Sequence, residues 1–240
     1  MKTIKILVAI LFIALAIAGC RKDNIDNGIF AVEPKDFLSD HKYEKLVVEI
    51  CYVDGYKPED ASLSQLLQLL QQRLNKPEGI LFSYKSIPAQ GRSWYDYDAL
   101  QEVEHDYRSE FTRQGKIAAW VFIADAPYSE SNTLGLAYSN TSFAIFEKTI
   151  LDNSGAIGQP SQAVLETTVM EHEFGHLMGL VDAGTPMATA HALNGHHCDN
   201  QDCLMYYAVE TLDIIGNLSG GEVPELDAHC IQDLKANGGK

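Results

Sequence analysis

Positive charge is scarce in this chain. Eighteen lysines and arginines face thirty-three aspartates and glutamates, for a formal charge of -15. So acidic a surface argues against nucleic acid as a partner and against electrostatic adhesion to anionic lipid. The apolar run at the start, Ile6 to Ala16, is shorter than the roughly 20 residues a membrane-spanning helix takes. No Gly-x-Ser-x-Gly elbow is present, and the cysteines read as structural, so a serine or cysteine nucleophile is not supported. There is no internal repeat and no second full domain. What remains, 240 residues with 46% hydrophobic content, is enough for one domain of two lobes with a real core.

Lys2 and Lys5 precede the apolar run, which ends in small residues, as an export signal should. Ile17-Ala18-Gly19-Cys20 resembles a bacterial lipobox, which implies a signal peptide over 1–19 and a lipidated Cys20 as the new N-terminus. The expectation is an exported protein, lipid-anchored to the cell envelope on its periplasmic or surface face. Residues 20–43 are polar, with Asn, Asp, Gly and Pro34, and read as a tether.

Glu44–Val53 has the β-branched density of a buried strand, and Ala61–Asn75 sets leucines at helical spacing. Gly79–Ile87 reads as a strand, Tyr97–Gly115 as a surface helix, and Lys116–Asp125 as the clearest, central strand. Leu134–Tyr138 and Ser142–Ile150 are short extended runs, the first suited to a sheet edge. A helix follows over Ser161–Gly179, then a loop-rich stretch from Val181 to Gly221 and a last helix from near Pro224. The order predicts an α+β fold whose mixed, mostly parallel sheet has right-handed crossovers and an antiparallel edge. The domain spans 44–240, with an upper lobe at 44–179 and a lower lobe at 180–240.

Within Ser161–Gly179, His172 and His176 stand four apart. At 3.6 residues per turn both imidazoles fall on one face, where they can reach one metal ion. Glu173 can point a carboxylate at a water there. This is the H-E-x-x-H pattern of zinc peptidases: zinc takes neutral imidazoles, keeps one position open, and its water needs a base.

Gly179 follows His176 by three, and Cys203-Leu204-Met205-Tyr206-Tyr207 lies downstream. With the helix motif, these residues resemble the metzincin clan of zinc peptidases. The resemblance implies an active-site helix, a turn at glycine, a methionine turn at Met205 and a terminal helix. It covers Glu44–Lys240 in architecture and Glu171–Tyr207 in specific motifs. Tyr207 sits where some metzincins place a tyrosine near the metal or the oxyanion. The pattern departs at Asp182, where a histidine is usual. One reading takes Asp182 as third ligand, as snapalysin-like metzincins do. The other takes His197, because His197-Cys198, four residues, then Cys203-Leu204-Met205 is similar to archaemetzincins. His197 is favoured, since it matches the cysteine and methionine spacing together. His191 and His196 read as solvated loop histidines.

Cys51, Cys198, Cys203 and Cys230 allow three pairings. Export favours disulfides, and Cys198–Cys203 would close a short loop beside His197. Cys51 and Cys230 read as paired or as small apolar fillers. Archaemetzincins instead use cysteines for a second, structural zinc, but only Cys230 stands where their pattern has a closing Cys-x-x-Cys. The expectation is therefore one catalytic Zn²⁺ and a monomeric endopeptidase. Its partner is a peptide or protein substrate, its base Glu173, and its only membrane link Cys20. The alternatives are a non-catalytic exported binding module on the same fold, and a metal-dependent hydrolase of other bonds.

Overall fold

The computed structural model describes residues 32–130 and 132–240. The expected signal peptide and Cys20 lie outside the described residues. Among those described, no helix is long and apolar enough to cross a membrane.

The core is a five-stranded sheet: β1 (Tyr43–Val53), β2 (Ile80–Ile87), β3 (Gly115–Ile123), β4 (Gly135–Ser139) and β5 (Ser142–Ile145), in the order β2-β1-β3-β5-β4. β1 pairs in parallel with β2 and β3, and β3 with β5, while β4 returns antiparallel to β5 at the edge. The expected central strand and antiparallel edge are both there. Side chains alternate across the sheet as the strand period requires. Leu46, Val48 and Ile50 on β1, with Ile117, Ala119 and Val121 on β3, face one core. Cys51, Val53, Trp120 and Phe122 face the other.

On the first face lie α2 (Asp60–Arg73) and α5 (Gln162–Leu177); α3 (Tyr97–Tyr107) covers the second. The fold is thus α+β with a mostly parallel sheet, as expected, but several boundaries move. α3 stops at Tyr107, well short of Gly115, because side chains take over its exit. The Glu49 carboxylate accepts from the backbone N–H of Ser109 (2.8 Å) and Glu110 (2.7 Å), and Arg108 reaches the Ala118 carbonyl. The run expected as extended to Ile150 turns after Ile145 into α4 (Glu147–Asp152). The last helix, α6 (Ala228–Ala236), begins at its cap Asp227, which accepts from Cys230 N–H at 2.8 Å, rather than near Pro224.

The largest revision is at the front. Pro34–Leu38, expected as tether, forms α1, with Phe37 and Leu38 fully buried and Phe37 edge-on to Phe174 at 5.7 Å. Lys76 Nζ donates to the carbonyls of Asp36, Ser39 and Tyr43, so its ammonium pins α1 to the start of β1. The expected tether thus contributes Val32, Phe37 and Leu38 to the core.

Candidate metal centre

α5 carries the first half of the site. Ser161 Oγ caps it, accepting from Val164 N–H at 3.2 Å, and nearly every residue from Leu165 to Leu177 is buried. Its end is abrupt. Gly179 takes φ +75, donates its N–H to the His176 carbonyl (2.9 Å), and has no room for a side chain: a Cβ would lie 2.5 Å from Pro34 Cβ and from Thr185 Oγ1. Val181 and Asp182 follow with φ 54 and 63, left-handed values that non-glycine residues rarely adopt.

The chain returns through a two-stranded ribbon, β6 (Ala192–Leu193) and β7 (His197–Cys198), with Asn194 (φ 51) and Gly195 (φ 80) in its turn. This ribbon delivers His197 to the helix. The His197 ring stacks on His172 (centroids 5.4 Å) and meets His176 edge-on at 5.1 Å. His172 Nδ1 lies 2.7 Å from the Leu204 carbonyl, and His197 Nδ1 lies 2.9 Å from the Asn194 carbonyl. A carbonyl can only accept, so both Nδ1 atoms carry a proton, and in the neutral ring each Nε2 presents its lone pair. The Nε2 atoms of His172 and His176 are 3.1 Å apart. Burial holds the His176 imidazole down, to about 4, against the opposing pull of Glu210. Three imidazole nitrogens thus converge, two of them on rings oriented by a backbone carbonyl as metal-binding histidines are.

Glu210 joins them, unanticipated from the sequence. Its Oε1 is 3.0 Å from His197 Nε2, 3.1 Å from His176 Nε2 and 3.6 Å from His172 Nε2. The four donor atoms all lie within 4.8 Å of one another. Burial pushes the Glu210 carboxyl up, but the three imidazoles outweigh it and hold it well below the usual range. The one signal in the sequence was its place five residues after Met205, too weak to act on.

Glu173 is fully buried, and neither carboxylate oxygen has a hydrogen-bond partner; the backbone of Ala137 faces it without closing a bond. Burial, and after it the Glu210 charge, raises its carboxyl well above the ordinary value. Its Oε1 lies against Gly135 on β4, where a Cβ would come within 2.5 Å. Met205, fully buried, packs its sulfur under Gly175, between the two helix histidines.

Asp182 is not among the converging donors. It is exposed on the wall of a cleft of about 610 Å³ that also takes in Ala137, Tyr138, His176, His197 and Glu210. The left-handed turn at Val181–Asp182 leaves its carboxylate there, outside the donor set. Tyr207 is 37% exposed, packs on Tyr206 with centroids 4.6 Å apart, and is not part of the cleft wall. His196 is exposed too, with Nδ1 3.3 Å from the Val181 carbonyl.

No known protein-family profile matches the sequence, and no curated protein matches it. Among solved structures, the chain superposes on archaemetzincin from Methanopyrus kandleri with a TM-score of 0.55 at 15% identity, covering 81% of this chain and 96% of that one. The fold is archaemetzincin-like. A weaker likeness, TM-score 0.48 at 14% identity, is to metalloproteinase-II from Bacteroides fragilis, covering 83% of this chain and 53% of that one.

In this archaemetzincin-like frame the cysteines are arranged differently from expectation. All four described cysteines are free, and Cys198 is not bonded to Cys203. Cys198 Sγ instead lies 3.4 Å from His191 Nδ1 and 3.4 Å from Asp227 Oδ2, while Cys203 Sγ lies 3.7 Å from Cys230 Sγ. Cys51 is on the opposite core, so it cannot pair with Cys230 and is an apolar filler whose thiol burial pushes up to about 12. His191, expected in solvent, is 2% exposed, and its Nε2 is 2.9 Å from Asp233 Oδ2. His191, Cys198, Asp227 and Cys230 form a second set of donors within 4.8 Å of one another.

Proposed function

We propose that the chain is a zinc-dependent endopeptidase, with His172, His176 and His197 as nitrogen ligands and Glu173 as the general base and acid. One observation carries this: two imidazoles fixed by backbone carbonyls turn their Nε2 atoms into a space that the third nitrogen shares. Such second-sphere bonds orient metal ligands and hold them in the binding tautomer. Converging imidazole nitrogens suit a divalent, borderline-soft cation such as zinc.

Zinc, when bound, supplies a Lewis acid that polarises a carbonyl and lowers the pKa of water towards ~7. Glu173 takes the proton of the attacking water on a carboxylate oxygen and passes it to the leaving amine nitrogen. Its buried, unpartnered oxygens leave that carboxylate free for the exchange. β4 has one edge paired to β5 and the other beside the cleft, so a peptide can add there as a strand, giving its main chain fixed partners. Met205 forms the apolar floor of a methionine turn. Asp182 and Tyr207 take no chemical part.

The second donor set fits a structural ion held by thiolates and an imidazole, with His191 oriented by Asp233. Export and lipid attachment through Cys20 rest on the sequence alone. Radiolabelled fatty acid should enter the wild-type chain in cells and not Cys20→Ser.

The purified protein should contain zinc and cleave unfolded casein, with chelator stopping cleavage and zinc restoring it. Zinc present without any cleavage would favour the non-catalytic binding module. Absence of zinc from both wild type and His172→Ala would overturn the metal reading itself.

A further inference from the structure

We propose that Glu210 is a fourth protein ligand to the metal, a carboxylate gate that closes the coordination sphere until substrate enters the cleft. The inference rests on the metal reading above and concerns how that site is regulated.

The distances are those of a ligand set. A tetrahedral zinc with nitrogen and oxygen ligands at about 2.0–2.1 Å spaces its donors about 3.3 Å apart. Glu210 Oε1 stands 3.0, 3.1 and 3.6 Å from the three Nε2 atoms, and His172 Nε2 stands 3.1 Å from His176 Nε2. The contact with His197 is close in distance, yet His197 Nε2 makes no hydrogen bond. Its Nδ1 is committed to the Asn194 carbonyl, which turns Nε2 toward the Glu210 oxygen. A ring nitrogen and a carboxylate oxygen at this spacing can share one metal ion.

A catalytic zinc has three protein ligands and one open position; a site with four is closed. Glu210 would therefore make this site latent as it stands. The carboxylate is nevertheless within reach of whatever enters the cleft. Its side chain is 28% exposed on the cleft, whereas Glu173 is wholly enclosed. The segment that carries it is tied to the entrance of β4: Leu134 N–H donates to the Glu210 carbonyl at 2.7 Å, and Leu212 N–H to the Asn132 carbonyl at 3.0 Å. A peptide laid along β4 would press on the same backbone that holds Glu210, linking occupancy of the cleft to release of the carboxylate.

The full chain loaded with Co²⁺ or Zn²⁺ tests this without reference to turnover. Competition with a chromogenic chelator should show Glu210→Gln binding zinc at least tenfold more weakly than wild type, with one catalytic ion still bound at saturation. Azide, a small anion seeking an open position, should perturb the Co²⁺ absorption of Glu210→Gln at concentrations at least tenfold lower than for wild type. Glu210→Asp keeps the charge and withdraws the oxygen by one carbon, so it should follow Glu210→Gln in both measurements. Circular dichroism of the metal-free proteins checks that both variants fold. Unchanged zinc affinity together with an unchanged azide response in both variants would overturn the gate and leave the three-histidine site standing. The metal reading fails separately, if wild type and His172→Ala bind Co²⁺ equally.

Discussion

The sulfur of Met205 lies against the bare α-carbon of Gly175, so close that a methyl group there would overlap it. Gly175 sits inside the H-E-x-x-H turn, and the lower lobe is seated through it against the two helix histidines. Alanine would gain about 1 kcal/mol of helix propensity over glycine, but overpacking a filled core costs typically about 1–3 kcal/mol. Gly175→Ala should therefore lower stability, and displace Met205 enough to weaken zinc binding. Urea unfolding and chelator competition measure the two effects.

Glu173 and Gly135 form a second pair at contact distance, with room for the carboxylate only because Gly135 has no side chain. Glu173→Gln keeps the shape and loses the base, so hydrolysis should fall by roughly 10²–10⁴ while zinc content stays at the wild-type level. Gly135→Ala, whose Cβ would also meet Val169 Cγ1 at 2.6 Å, should cut activity by pushing Glu173 aside. Activity retained in Glu173→Gln would remove that residue from the mechanism.

The lower cluster predicts a second ion. Metal analysis should give two zinc per chain in the wild type and one in Cys198→Ser or His191→Ala, with a lower melting temperature in both. If the wild type holds one zinc and its thiol count falls by two under oxidising conditions, Cys203 and Cys230 are a disulfide pair instead.

Glu147, on α4, is fully buried, and its Oε1 accepts from Gln162 Nε2 at 3.2 Å while its Oε2 has no partner. Burial, followed by the nearby Glu166 charge, pushes its carboxyl up to about 10. The folded state therefore holds a proton that the unfolded state releases near the ordinary carboxyl value of 4.5. That contribution to stability is complete below pH 4.5 and is lost as pH rises towards about 10. Glu147→Gln should flatten this slope, its advantage over wild type growing with pH across that window. Chemical denaturation at several pH values reads it directly.

Much of the fold was legible because it rests on local periodicity. Alternation on β1 and β3, helical spacing on α2 and α5, and the pair His172 and His176 all follow from residues a few positions apart. The misplaced boundaries share a cause. α3 ends where Glu49, sixty residues earlier on β1, takes the backbone N–H groups of Ser109 and Glu110. α1 is folded rather than free because Phe37 and Leu38 find the core and Lys76 gathers its carbonyls. Neither partner is visible along the chain.

The sequence by itself determined that one helix offers two imidazoles to a common point, with Glu173 beside them, since the four-residue spacing of His172 and His176 alone sets that. Only the tertiary structure decided what completes the point. It brought His197 and Glu210 to the helix and left Asp182 on the cleft wall, and it drew His191 inward to Cys198. Loop residues have no period to read; their positions follow from left-handed turns at Val181 and Asn194 and from the packing of Met205, and those forces act across the fold rather than along the chain.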